Sequence, residues 1–192
     1  MIIYFINKYF FINSHRYMPI KSLIRTIAHY PHEGIFYRDI TTLLKDPIGL
    51  RTTIQEIAKR YQSMKIDKVV GIESRGFIIG APVAYQLEIG FVPIRKSGKL
   101  PAQTIGCEYE LEYGTDRIEL HIDAIQRGER VLLIDDLIAT GGTMEAAVKL
   151  IHELGGEVVE CCFVVDLPDA GGRLRLEKQG QKVFSLCQFE GG

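Results

Sequence analysis

The apolar residues of this chain follow two alternating periods. DKVVGI (67–72), FVPIRK (91–96), VLLIDD (131–136) and EVVECCFVVD (157–166) are short runs rich in valine and isoleucine. Runs of this kind read as strands buried on both faces. Longer segments with a helical period lie among them. From Gly49 to Gln62, residues Ile54, Ile57, Ala58 and Tyr61 share one face; GFIIGAPVAYQL (76–87) is apolar nearly all round. Thr143 to Leu154 forms a third helix, stopped by Gly155-Gly156. Nearer the start, Ile20, Leu23, Ile24 and Ile27 stand at helical spacing, which predicts a helix from Met18-Pro19 to Tyr30. The proline at 31 ends it, because the residue before a proline is pushed out of the helical region. PHEGIFYRDITTLLKDP (31–47) then reads as a loop. Strand-helix-strand repeats predict an α/β fold with a central, mostly parallel sheet flanked by helices. Between the two repeats, residues 97–122 alternate apolar and polar positions around Tyr113-Gly114-Thr115-Asp116, a hairpin pattern. Gly98 and Pro101 before it give a flexible flap. Ligands of an open α/β sheet bind at the carboxyl ends of its strands, and Glu73, Lys96 and Asp135 fall there.

Composition narrows this picture. With 192 residues, 46% apolar and 24% charged, the chain has the makeup of a globular domain large enough to bury a core. Its formal net charge of −1 argues against nucleic acid as a partner, so any anion site must be local. Cys107, Cys161, Cys162 and Cys187 show no metal-ligand spacing, and Cys161-Cys162 lie in an apolar run where reduced core thiols are expected, in keeping with a cytoplasmic protein. The opening MIIYFINKYFFINSHRY is apolar for only about a dozen residues, short of the roughly 20 needed to span a bilayer, and has no signal-peptide cleavage pattern. No membrane association is expected. Residues 1–17 read as a non-essential extension before a single domain, 18–192.

The candidate chemistry centres on VLLIDDLIATGGT (131–143). Two carboxylates after an apolar strand are costly to bury unless partnered. Gly141 and Gly142 let the backbone approach a ligand, and the helix that follows offers unpaired N–H groups and a positive dipole end. Thr140 and Thr143 add hydroxyls. Ala139 to Thr143 therefore reads as a monophosphate cradle without the lysine of a P-loop, and Asp135 and Asp136 as acceptors for vicinal ribose hydroxyls. The competing reading is a plain strand-to-helix turn with solvated acids. The ordered run of strand, Asp-Asp, Ala-Thr-Gly-Gly-Thr and helix is more specific than that.

This run resembles the phosphoribosyl-pyrophosphate motif of the type I phosphoribosyltransferases. GIFYRDIT, GIESRGF, FVPIRKSGKLP and YELEYGTD occur in the order and spacing of the adenine phosphoribosyltransferases, a resemblance covering about Pro19 to Glu190. It implies a type I phosphoribosyltransferase-like fold with a small hood, adenine and phosphoribosyl pyrophosphate as substrates, and AMP and pyrophosphate as products. It also implies a homodimer, and Mg²⁺ carried in by the substrate and not by a protein cage. By the same resemblance Glu73, Ser74, Arg75, Arg95, Lys96 and Lys99 bind pyrophosphate, with a cis peptide at Glu73-Ser74. Glu112 is the general acid/base and Tyr113 shields the reaction centre. Phe36 and Arg38 read adenine through their backbone while Tyr37 stacks on it. Two positions depart from the family's usual pattern: Tyr37, more often Phe, and Glu33, more often Pro. The rivals are a transferase for a 6-oxopurine, which LEYGTD and GIFYRD oppose, and a DNA-binding sensor of phosphoribosyl pyrophosphate, for which the chain has neither room nor charge.

Overall fold

The structure, a computed structural model, describes residues 19–110 and 114–191. Strands β3 (Lys68–Ile72), β4 (Gly90–Lys96), β5 (Thr104–Glu110), β6 (Thr115–His121), β7 (Arg130–Ile138), β8 (Glu157–Asp166) and β9 (Val183–Gln188) form one sheet, in the order β5-β6-β4-β3-β7-β8-β9. Neighbours from β4 through β9 run parallel, while β6 is antiparallel to both β4 and β5. The β5–β6 hairpin thus forms one edge. A separate pair, β1 (Arg25–Ala28) and β2 (Phe36–Asp39), is antiparallel and makes the hood.

Strand alternation divides the core between two faces. Val70, Ile72, Val131, Leu133 and Cys161 pack with Ala147, Leu150 and Ile151 of helix α4 (Gly142–Glu153). On the opposite face Val69, Leu132, Ile134, Cys162 and Val164 meet Ile57 and Tyr61 of α2 (Pro47–Tyr61) and Ile79 and Val83 of α3 (Arg75–Gln86). This two-sided cover explains why the parallel strands read as continuous apolar runs. Cys161 and Cys162 are fully buried free thiols, and burial pushes both up to about 12.

The N-terminal segment corrects the sequence reading. Residues 20–27 do not form one helix; Ile20–Leu23 is a single 3-10 turn, and Arg25–Ala28 is strand β1. The helical spacing of the apolar positions is outweighed by pairing with β2, by an Arg25–Asp39 ion pair, and by the Arg25 N–H donating to Thr42 Oγ1 at 3.1 Å. The segment 31–47 is likewise not all loop, since it holds β2 and the short helix α1 (Thr41–Leu44). The sequence reading left residues 167–192 unassigned; they supply helix α5 (Gly172–Lys178) and β9. The predicted extension 1–17 lies outside the described residues.

Helix α2 starts where its first residues dictate. Asp46 caps it, accepting from Ile48 N at 3.0 Å and Gly49 N at 2.7 Å, and Pro47 takes the first helical position, where no N–H is needed. Asp46→Ala should cost about 1 kcal/mol, a fall of roughly 2–4 °C in melting temperature for a chain of this size. Thermal unfolding of the variant checks this; an unchanged midpoint would remove the cap from the account.

Candidate functional site

The carboxyl ends of β3 and β7 converge around a cavity of about 260 Å³, whose lining does not include Arg95, Lys96 or Lys99. Its lining brings together Glu73, Arg75, Asp135, Asp136 and the whole run Ala139 to Thr143, all named by the sequence. The approach is close because Gly76 has no side chain: a Cβ there would lie 2.7 Å from Ile134 O and 3.2 Å from Asp135 Oδ1. Helix α3 therefore begins directly against the end of β7.

That contact lets Arg75 reach the acidic pair. Its Nε lies 2.5 Å from Oδ2 of Asp136, whose side chain is nearly buried. The Asp136 N–H in turn donates to Asp135 Oδ1 at 2.8 Å. The guanidinium thus pairs with Asp136, while Asp135 is held by the Asp136 backbone. Burial, and then the neighbouring charge of Asp136, push the Asp135 carboxyl well above the usual carboxylate range, with Arg75 opposing.

Glu73 is engaged on three sides within the protein. Its N–H is taken by Ile94 O at 2.9 Å, and its carboxylate grips Arg95 with a fork, Nε to Oε2 at 3.1 Å and Nη2 to Oε1 at 3.2 Å. It also accepts from Lys96 N at 2.9 Å. The Arg95 fork and this N–H hold Glu73 below the usual carboxylate range. A carboxylate so engaged orients Arg95. The peptide between Glu73 and Ser74 is cis, as the resemblance implied. Arg95 also donates to Lys99 O at 3.2 Å, which pins the turn carrying the exposed Lys99 side chain. Lys96 leans toward the hairpin, with Nζ 3.0 Å from Asp116 Oδ2.

The loop after β7 follows its glycines. Gly141 adopts φ +80° and Gly142 opens α4, so the loop lies at that helix's N-terminus. Tyr109 of β5 lines the cavity and approaches the loop; a Cβ on Gly142 would sit 3.2 Å from Glu110 O and 3.8 Å from Tyr109. The sequence reading quoted YELEYGTD but gave Tyr109 no role. Its signal was the strand alternation that places it opposite Asp116, to which its hydroxyl donates at 3.2 Å. Met144 and Phe163 also line the cavity unforeseen, their apolar character having read only as core.

The hood residues do not line this cavity. Phe36 is exposed on β2, and Tyr37 meets Tyr30 edge-on at 5.4 Å. Arg38 is turned away, stacked over Phe189 at 4.6 Å and donating to Thr26 Oγ1 at 2.6 Å. Glu112 and Tyr113 lie outside the described residues. Among the described residues no group of three or more histidine, cysteine or acidic side chains is arranged to hold a metal ion.

A family model described as the phosphoribosyl transferase domain matches residues 39–188. The adenine phosphoribosyltransferase of Nitrosospira multiformis is 79% identical over 174 residues, covering 91% of this chain and 99% of that relative. That of Nitrosomonas europaea is 74% identical over 173 residues, covering 90% and 99%. The crystal structure of adenine phosphoribosyltransferase from Thermoanaerobacter pseudethanolicus superposes with a TM-score of 0.84 at 48% identity, over 88% of this chain and 98% of that one. The Saccharomyces cerevisiae enzyme, complexed with an imino-altritol bisphosphate and adenine, gives 0.82 at 37% identity, over 88% and 96%. The family match and these relatives show that the chain belongs to the phosphoribosyl transferase family, among the adenine phosphoribosyltransferases.

Proposed function

We propose that the chain transfers the phosphoribosyl group of phosphoribosyl pyrophosphate to adenine, yielding AMP and pyrophosphate. The observation that carries this is the single cavity in which Asp135 and Asp136 stand beside the glycine loop and the N-terminus of α4. Backbone N–H groups at that helix end suit a 5′-phosphate, with the hydroxyls of Thr140 and Thr143 beside them. The two carboxylates suit the ribose hydroxyls, which donate where Arg75 alone cannot satisfy both acids.

The reacting ribose carbon then lies between the acidic pair and the cations of the β4 turn. An adenine ring nitrogen attacks it as the bond to pyrophosphate breaks, and the electron pair leaves with the pyrophosphate. Arg95, Lys96 and Lys99 neutralise that charge in this reading, with Arg95 held by Glu73. Arg75 and the Ser74 backbone complete the pyrophosphate side. Glu112 takes the proton lost by the purine, Tyr113 covers the centre, and Phe36, Tyr37 and Arg38 receive the base. Carboxylate oxygens fit a hard divalent cation, and two of them fit one that arrives with phosphate oxygens and water. Mg²⁺ bound this way would supply further neutralisation of the pyrophosphate. Family resemblance supports a cytoplasmic homodimer.

Purified protein given Mg²⁺, phosphoribosyl pyrophosphate and, separately, adenine, hypoxanthine, guanine or xanthine should form nucleotide from adenine alone, and chelating Mg²⁺ should stop the reaction. A 6-oxopurine product would keep the donor site and overturn the acceptor. Binding of phosphoribosyl pyrophosphate without any product would favour a sensor.

Asp135→Asn should separate stability from function. A carboxyl whose folded pKa is raised makes the native state bind the extra proton, so stability falls as pH climbs above about 4. Removing the charge should raise the melting temperature at neutral pH and leave it nearly unchanged in acid. Losing a charged acceptor for the ribose should also cost about 1.5–3 kcal/mol, roughly 10–100-fold in kcat/KM. A variant that is less stable at neutral pH, or fully active, would contradict this placing of Asp135.

A further inference from the structure

The phosphate loop has two sides, and only one faces the cavity. Helix α5 lies against the other. Gly172 N donates to Ala139 O at 2.8 Å, and no side chain fits between them. A Cβ on Gly172 would fall 2.3 Å from Ala139 O, 2.7 Å from Gly141 N and 2.8 Å from the carbonyl carbon of Thr140. The packing is reciprocal, since a Cβ on Gly141 would lie 3.0 Å from Gly172 O and 3.1 Å from its Cα. Three consecutive residues of the loop thus rest on one glycine of a different element. Gly171 before it adopts φ +77°, which turns the chain into α5 at this point.

Charged contacts fix α5 in that position. The Arg173 Nε lies 2.6 Å from Oδ2 of Asp166, which is fully buried at the end of β8. The same guanidinium donates to Val183 O at 2.8 Å and Ser185 Oγ at 2.9 Å, both on β9. Asp166 is paired in register with Ile138, the residue before the loop. On the other side, Arg175 Nε lies 2.5 Å from Glu145 in the first turn of α4. Helix α5 is therefore tied to the strand that ends beside the loop and to the helix that starts after it.

We propose that Gly172 is a positioning residue for the phosphate loop, with the buried Asp166–Arg173 pair as its anchor. Gly172 touches no substrate. It fixes Ala139, Thr140 and Gly141 at the depth where their N–H groups converge on a monophosphate. This rests on the reading of that loop as the 5′-phosphate site. The expected signature is selective: phosphate-side binding suffers, and the purine side does not.

The test is calorimetric titration of the full chain with ribose 5-phosphate, alongside KM for phosphoribosyl pyrophosphate and for adenine. Gly172→Ala should weaken ribose 5-phosphate binding and raise KM for phosphoribosyl pyrophosphate by about 10–100-fold, with the adenine KM held within about twofold. Gly180→Ala is the control for general damage to α5. Gly180 sits at φ +80° beyond that helix, and a Cβ there would meet nothing within 4 Å. That variant should melt lower yet bind ribose 5-phosphate as before. Arg173→Lys keeps the charge but loses the fork to β9; it should show a smaller loss in the same direction, and it decides the matter if Gly172→Ala does not fold. Unchanged ribose 5-phosphate affinity in a folded Gly172→Ala, or in Arg173→Lys if Gly172→Ala does not fold, overturns the proposal. So does an equal loss in Gly180→Ala. Failure of the unsubstituted protein to bind ribose 5-phosphate would sink the phosphate reading of the loop, and this proposal with it.

Discussion

Two adjacent carboxylates at the end of a buried strand need a cation, and the chain supplies one through a close backbone approach. Gly76 lets α3 begin in contact with Ile134 and Asp135, and that placement carries Arg75 onto Asp136. Any side chain at Gly76 would push α3 off β7 and leave both acids facing a cavity without a partner, a costly state in a low-dielectric setting. The compensation is incomplete even so. One guanidinium faces two acids, and Asp135 holds its proton far more tightly than a free carboxyl. A site left short of donors in this way favours a ligand bearing hydroxyls and arriving with a cation. In the proposed reaction the glycine loop takes the phosphate at one end of such a ligand, and the β4 turn supplies cations at the other.

The β4 turn and the hairpin are built as one body. Glu119 of β6 accepts from Ser97 Oγ at 2.8 Å and from Gly98 N at 3.0 Å, and Ser97 N donates to Arg117 O at 3.1 Å. Arg95 and Lys96 pair in register with Glu119 and Ile118. The turn that presents Lys99 is therefore tied to β6 of the hairpin.

Much of this was legible in the sequence because the strands obey simple periods. The runs at 67–72, 91–96, 131–136 and 157–166 lie in a two-sided parallel sheet, and the Asp-Asp-to-glycine-loop order encodes the site locally. The N-terminal reading failed because Ile20, Leu23 and Ile24 do face the body while Arg25–Ala28 is held by β2, a partner the local period cannot show. Helix α5 starts at two glycines and has no side-chain cap, so it carries none of the usual signals of a helix start. The roles of Glu73 and Arg75 within the protein were hidden for a related reason. Their partners, Arg95 and Asp136, lie 22 and 61 positions away along the chain.

The central claim is that the donor sits against the loop after β7. Amide hydrogen exchange with and without Mg²⁺ and phosphoribosyl pyrophosphate tests it directly. The account predicts new protection concentrated at Ala139 to Thr143, with a second zone at Arg95 to Lys99. Protection confined to other segments, with the loop exchanging as fast as before, would contradict it.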